Sequence, residues 1–321
     1  MMQKPIRFEP LEKIVLVVNA RGEIVSDDAA FADSRGIYVA RDNAMDELVV
    51  IKFPNKGMQE VDTIESLVDV PQVPVLVHRG SDYYAMSKVP GSALVEPASL
   101  NYSPEKFVLI SAQVLDFVQR MREKRLSYYD FRGPNFIFNS ETDSLGVVDF
   151  SAMTPRSSDN GGLLESYFQF LKFLFYQGGP FGGKLDYELL DLPPKFRGPA
   201  GFEQVFAGLN PNQALDKLKK FVTTVAISKG ADRYDAEHGL WRKAEGILGE
   251  MRNYKERYVQ RLKAINPSQW DDRVDVRGIE KFRDVYGRLS NGRLAEQIPS
   301  QEQATVNNEG NPEEGERWQR S

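Results

Sequence analysis

Three polar residues near the middle of the chain have types and spacing that suit chemistry on a phosphate group. Asn135 follows Asp130 by five residues, and Asp149 follows Asn135 by fourteen. Phosphoryl transfer depends on positioning and electrostatics, with a carboxylate at the attacking hydroxyl and oxygen ligands for Mg²⁺. Two carboxylates and one amide are the side chains that such a site requires.

The segments around these residues resemble the protein-kinase superfamily. Asp130 with Asn135 matches the catalytic loop H-R-D-x-x-x-x-N, and Asp-Phe-Ser at 149–151 matches D-F-G with serine in place of glycine. The resemblance implies that Asp130 faces the acceptor hydroxyl and that Asn135 and Asp149 bind Mg²⁺. It also implies that Arg132 reaches the γ-phosphate of ATP.

An apolar segment upstream ends in a lysine that fits the same family. Val-Val-Ile-Lys at 49–52 is similar to the V-A-I-K strand. By this resemblance Lys52 contacts the α- and β-phosphates and pairs with a glutamate on the next helix. Glu60 is the predicted partner, and Glu65 is the alternative because the interval from Lys52 to Glu60 is short.

The run from Tyr83 to Leu94 looks like the last strand and the hinge of the family's N-terminal lobe. Met86 would then be the gatekeeper, and the backbone of Ser87 and Val89 would face adenine. The remaining predicted nucleotide contacts are Ile37 and Val50.

Short apolar segments separated by turns indicate a strand-rich first part. The expected strands are Lys13–Val18, Glu23–Val25, Ile37–Ala40, Leu48–Ile51, Val73–Val77 and Tyr83–Ser87. Apolar residues at helical spacing predict one helix over 58–68.

From residue 104 the apolar residues follow a helical period. Ser103 is expected to cap a helix that begins at Pro104, and helices are also expected over Leu163–Tyr176 and within 211–265. The predicted fold class is α+β. The resemblance implies a bilobal protein-kinase-like fold, with a small antiparallel-sheet lobe holding one helix (1–89) and a larger helical lobe (90–292). Residues 293–321 have few apolar side chains and are predicted to be a disordered tail.

The composition excludes several other kinds of chemistry. The 321 residues include no cysteine and only two histidines, so thiolate nucleophiles, disulfides and multi-histidine metal sites are ruled out. His78 and His238 are expected at the surface. The net charge of −5 gives no basic footprint for nucleic acid, and no segment has the length and hydropathy of a membrane span. A cytoplasmic location is the default expectation.

The main hypothesis is an ATP-dependent, Ser/Thr protein-kinase-like enzyme that moves the γ-phosphate to a hydroxyl of a protein or small molecule. Two alternatives remain: a pseudokinase that serves as a binding or scaffold module, and a kinase of sugars or other small alcohols. None of the family's three loop glycines falls in register before Ile37, and only about fourteen residues separate Ser151 from Glu165. Both departures favour a pseudokinase, and the short segment also resembles atypical or small-molecule kinases.

Overall fold

The computed structural model describes residues 4–14, 36–53, 58–94, 103–128, 130, 135–151, 153–155, 209–276 and 281–282. Within these residues the chain is a mixed α+β structure, so the predicted fold class is confirmed at that level. Its strands in chain order are β1 (Phe8–Ile14), β2 (Ile37–Asp42), β3 (Glu47–Lys52), β4 (Leu76–Arg79), β5 (Tyr84–Ser87), β6 (Ser92–Ala93), β7 (Leu126–Tyr128), β8 (Phe136–Asn139), β9 (Ser144–Val147), β10 (Met153–Pro155) and β11 (Lys281–Phe282).

The largest sheet has the strand order β11-β1-β2-β3-β5-β4. All neighbouring strands are antiparallel except β11, which pairs in parallel with β1. The predicted hairpin is present as β2 and β3, with Ile37 opposite Lys52. Two smaller sheets, β6-β8-β9 and β7-β10, carry the segments next to Asp130 and Asp149.

The four α-helices of the described residues are α1 (Gln59–Ser66), α2 (Pro104–Glu123), α3 (Pro211–Ser228) and α4 (Leu240–Ala264). Helix α2 begins as predicted, because the Ser103 side chain accepts a hydrogen bond from the Lys106 N–H and Pro104 occupies the first turn. A π-helical turn at Asp235–Gly239 precedes α4.

Two apolar clusters divide the core. Because alternate residues of a strand face opposite sides, Val50 packs into the larger cluster around α2, whereas Val49 and Ile51 pack into the smaller one. The smaller cluster also contains Tyr258 of α4. Helix α4 therefore covers one face of the main sheet with its C-terminal half.

Some elements differ from the sequence-based expectation. Strand β4 begins at Leu76 rather than Val73, because the Val73 N–H donates to the Val70 carbonyl in a turn and Pro74 has no N–H for a ladder. His78 is half-buried and stacks on Tyr83, with ring centroids 5.2 Å apart, so it is not a surface residue; His238 is exposed as expected. The expected strands over 15–18 and 23–25, the helix Leu163–Tyr176 and the tail 293–321 lie outside the described residues.

The end of the described chain returns to the first sheet. The Arg7 N–H donates to the Asp271 carbonyl and the Asp271 N–H donates to the Pro5 carbonyl, both at 2.9 Å. Strand β11 then extends the sheet beyond β1. Asp271 and the strand Lys281–Phe282 thus lie against the strand-rich part, whereas the sequence-based boundaries group them with the helical part.

Candidate functional site

The site begins with a lysine and a glutamate held at one end of the main sheet. Lys52 ends β3, and Glu60 lies in the first turn of α1. The Lys52 Nζ donates to Glu60 Oε2 at 2.6 Å. The other oxygen of this carboxylate accepts a hydrogen bond from the Phe150 N–H at 3.1 Å. Glu60 thus joins β3 to the segment that follows β9.

Glu65, the alternative partner, lies elsewhere. Its carboxylate is half exposed and binds Arg79 at 3.0 Å, on the outer side of α1. Glu60, in contrast, is 7% exposed. The structure therefore pairs Lys52 with Glu60 and leaves Glu65 at the surface.

Asp149 is the second carboxylate near Lys52. Its Oδ1 lies 3.6 Å from the Lys52 Nζ. The residue has φ of 60°, a left-handed conformation that aspartate adopts more readily than most side chains. Ser151 stabilises the turn, because its hydroxyl donates to Asp149 Oδ1 at 2.6 Å. Left-handed non-glycine residues of this kind are often found at functional sites.

Asp130 and Asn135 form the other half of the site. The Asn135 Nδ2 donates to the Asp130 carbonyl at 3.0 Å and to Asp130 Oδ2 at 2.8 Å. The Asn135 carbonyl accepts from the Val148 N–H at 2.9 Å, which brings Asn135 beside the residue that precedes Asp149. Because the Asn135 nitrogen donates to Asp130, its side-chain oxygen is the atom suited to a cation.

These oxygen donors fit the ligand preferences of Mg²⁺. That ion is bound in proteins by one or two carboxylates together with water and phosphate oxygens, and seldom by an all-protein cage. Asp149 supplies a carboxylate and Asn135 an uncharged oxygen. Within the described part of the chain, no group of three or more His, Cys, Asp or Glu residues could bind a metal by itself.

Tyr128 contacts the segments on both sides of Asp149 and stabilises this half of the site. It stands two residues before Asp130, and its hydroxyl donates to the Val148 carbonyl at 3.0 Å. Its buried ring contacts Phe150 and Phe117, with centroids 6.0 and 5.7 Å apart. Tyr128 therefore connects the strand before Asp130 with the residues on both sides of Asp149.

The predicted nucleotide contacts lie on neighbouring strands. Val50 of β3 is opposite Met86 of β5, and both side chains are buried in the larger cluster, against which Ile37 and Val89 are partly buried. The Ser87 N–H donates to the Val75 carbonyl at 2.8 Å. That donor is therefore used by a carbonyl just before β4, and the contact of the Ser87 and Val89 backbone with adenine stays a prediction.

The charges of the site are strongly coupled. Burial disfavours the Lys52 ammonium, but the carboxylates of Glu60 and Asp149 outweigh it, so the pKa of Lys52 is raised. The Tyr84 hydroxyl is buried close to Glu60 without a hydrogen bond of standard geometry in the described residues. Its burial and the nearby carboxylates of Glu60 and Asp149 raise its pKa. Because the pKa of Lys52 is raised, this lysine remains a cation over the whole physiological pH range.

Sequence reasoning missed several contributors to this site. Phe150 acts through its backbone, which no side-chain pattern reveals, and Tyr84 was predicted only as part of a strand. Arg132, which was predicted to reach the γ-phosphate, lies outside the described residues. Residues 30–35, where the family's loop glycines are missing from the sequence, are also outside them.

The comparisons with known proteins identify no relative of this chain. No protein-family model matches this chain, and no curated protein shows significant similarity to it. Among the helices of the described residues, none has both the length and the apolar character needed to cross a bilayer.

Proposed function

We propose that this chain has a bilobal, protein-kinase-like fold and transfers the γ-phosphate of Mg-ATP to a hydroxyl acceptor. The observation that carries the proposal is the arrangement of Lys52, Glu60 and Asp149. A buried glutamate binds the lysine at 2.6 Å, and a second carboxylate lies 3.6 Å from the same cation. Because the glutamate holds the ammonium in one place, Lys52 can bind the α- and β-phosphates without rearrangement.

Asp130 is proposed to accept the proton of the acceptor hydroxyl. The hydroxyl oxygen then forms a bond to the γ-phosphorus, the bond from that phosphorus to the β–γ bridging oxygen breaks, and ADP leaves. Asn135 orients Asp130 through its two hydrogen bonds. Asn135 and Asp149 would hold Mg²⁺, which supplies neutralisation of phosphate charge when bound.

The binding of Mg-ATP is tested by thermal unfolding of the full chain. A ligand present at 100 times its dissociation constant adds about 2.7 kcal/mol to the free energy of unfolding. We expect Mg-ATP to raise the melting temperature of the wild type by a few degrees, and chelation of magnesium or Asp149→Asn to abolish the shift. Asp143→Asn is the matched control, because Asp143 also has a positive φ, of 54°, but pairs with Lys243 outside the site.

Turnover is tested separately with ATP labelled on the γ-phosphate. We expect transfer of label to protein or small-alcohol acceptors, and its loss in Asp130→Asn. The absence of a melting shift at millimolar Mg-ATP would contradict the whole proposal.

A second candidate function is a nucleotide-binding module without turnover. It is favoured by the sequence of residues 30–36, where the family has three loop glycines and this chain has only Gly36. Glycines permit the close approach of backbone N–H groups to phosphates. A magnesium-dependent melting shift together with no transfer of label to any acceptor would favour this module over the enzyme.

A further inference from the structure

A buried lysine on α4 donates to three backbone carbonyl groups of the described residues. The Lys255 Nζ donates to the carbonyls of Val70 at 2.7 Å, Val73 at 2.8 Å and Leu67 at 3.3 Å. The residue is 5% exposed. Buried lysines are rare, and here three carbonyl acceptors match the three N–H donors of the protonated amine.

The three carbonyls belong to the connection between α1 and β4. Leu67 is the residue that ends α1, and its N–H donates to the Ile64 carbonyl. The Val70 N–H donates to Leu67, and the Val73 N–H donates to Val70. Successive bonds at three-residue intervals turn these carbonyls toward the same side. Carbonyls at the C-terminal end of a helix carry partial negative charge and attract a cation.

The same connection is also attached to the strand that leads to Asp149. The Gln72 carbonyl accepts from the Val147 N–H at 2.8 Å. The Gln72 Nε2 donates to the Gln113 carbonyl on α2 at 3.0 Å. Residues 67–73 therefore contact α2, α4 and β9 at once.

The N-terminal end of α1 is held through Glu60 and not through a helix cap. No side chain of the described residues caps this helix at Met58. Helix α1 has only eight residues, and Glu60 lies in its first turn. Because a two-turn helix is short and stiff, an anchor at its C-terminal end also limits where Glu60 can lie.

We propose that Lys255 is a positioning residue, which fixes α1 so that Glu60 stays bound to Lys52. This proposal rests on the proposed phosphotransferase function for its catalytic consequence. Helix α4 is well suited to this role, because contacts hold both of its halves. Ile247 packs into the larger core cluster, and Arg261 binds Glu47 at 2.7 Å and the Met45 carbonyl at 2.7 Å.

The variant that tests this role is Lys255→Met, which keeps a flexible apolar stem and removes the ammonium. Lys243→Met is the matched control, because Lys243 lies on the same helix but forms an exposed ion pair with Asp143 at 2.6 Å. A rescue is available because the chain has no cysteine. Lys255→Cys can be alkylated with bromoethylamine in denaturant and refolded. The thiolate displaces bromide and leaves an ammonium at the length of lysine, and the unalkylated variant refolded in parallel is the comparison.

Two readouts are measured on the full chain. Amide hydrogen exchange reports how often α1 opens locally, and the measurement needs no nucleotide. We expect exchange over 59–67 to become at least about tenfold faster in Lys255→Met, with α2 unchanged, and to return to the wild-type rate after aminoethylation. The kcat of phosphotransfer should fall about 10- to 100-fold, with little change in the KM for ATP. A catalytic group that is displaced by about 1 Å lowers the rate by up to about 100-fold.

Unchanged exchange in α1 would overturn the proposal. So would an equal loss of protection in α1, α2 and α4, because that pattern reports a general contribution to folding. A fall in kcat that aminoethylation does not reverse also counts against it. Should the wild type transfer no phosphate, the proposed function fails, and the exchange measurement still decides the role of Lys255.

Discussion

Glu60 accepts a hydrogen bond from the backbone N–H of Phe150, which lies 90 residues further along the chain. The same carboxylate binds Lys52 through its other oxygen. Both of its oxygens therefore face donors, and the residue is only 7% exposed. An uncharged side chain of the same shape cannot satisfy both donors.

Glu60→Gln is expected to lower the free energy of unfolding by about 1–3 kcal/mol, because the amide nitrogen must face either the Lys52 ammonium or the Phe150 N–H. Chemical denaturation of the purified variant measures this difference. Glu65→Gln is the control on the same helix, and its exposed ion pair should contribute less than about 1 kcal/mol. Equal effects of the two substitutions would contradict the importance of the buried pairing.

Tyr128→Phe is expected to destabilise the fold by about 1 kcal/mol. The substitution removes the hydrogen bond to the Val148 carbonyl and keeps the ring that contacts Phe150. Tyr254→Phe serves as the control, because Tyr254 is half exposed on α4. If Tyr128→Phe unfolds at the same denaturant concentration as the wild type, the Tyr128 hydroxyl does not stabilise the segment before Asp149.

Gly146→Ala is expected to disturb the segment predicted to bind adenine. A Cβ at this position would lie 2.3 Å from Val89 Cγ1, and valine has little freedom to move aside. We expect a loss of about 1–3 kcal/mol in the free energy of unfolding, together with weaker ATP binding by calorimetry. Gly249→Ala is the control, since a Cβ at that position of α4 would meet no atom within 4 Å beyond the backbone of its own helix. This second change should stabilise the helix by about 0.5–1 kcal/mol. Wild-type behaviour of Gly146→Ala would show that Val89 is free to shift.

The stability of the protein should depend on pH through Lys255. Burial lowers the pKa of this amine from 10.5 to about 7, Asp69 opposes the shift and Lys124 adds to it. Between these two values the unfolded chain holds a proton that the folded chain does not. The free energy of unfolding therefore rises with pH in this window, by at most about 1.4 kcal/mol per pH unit.

The measurement compares wild type with Lys255→Met in denaturant titrations from pH 7 to pH 10. The contribution of Lys255 is the difference between the two proteins, which removes the groups that titrate in both. We expect this difference to change in favour of the wild type as the pH rises. A constant difference would mean that the carbonyls of residues 67, 70 and 73 hold the proton on Lys255 against the effect of burial.

Local patterns in the sequence were sufficient for several elements. The hairpin β2–β3, helix α1 and the Ser103 cap follow from apolar spacing and from the chemistry of single residues. The partner of Lys52 could also be predicted by counting along the chain to Glu60. Such features depend on residues that are close in sequence, and their geometry is set by one strand or one helix.

Other features depend on partners that are distant in sequence. Lys255 stands eight residues after Ile247 and three before Tyr258, so it lies on the apolar face of α4. A charged residue on such a face is a signal in the sequence, but its carbonyl partners are more than 180 residues away. The hydrogen bond from the Ser87 N–H to the Val75 carbonyl has the same origin, because Val75 precedes β4 and Ser87 ends β5.

The return of the chain to its first sheet has a consequence for biosynthesis. The Tyr83 hydroxyl donates to the carbonyl of Asp272, which is 189 residues away, and β1 pairs with β11. A ribosome adds about 5–20 residues per second, so Tyr83 waits about 10–40 s for this partner after its own synthesis. During that interval the edge of β1 that later pairs with β11 is open to strands of other nascent chains. Translation speed and chaperone supply should therefore affect the yield of this protein.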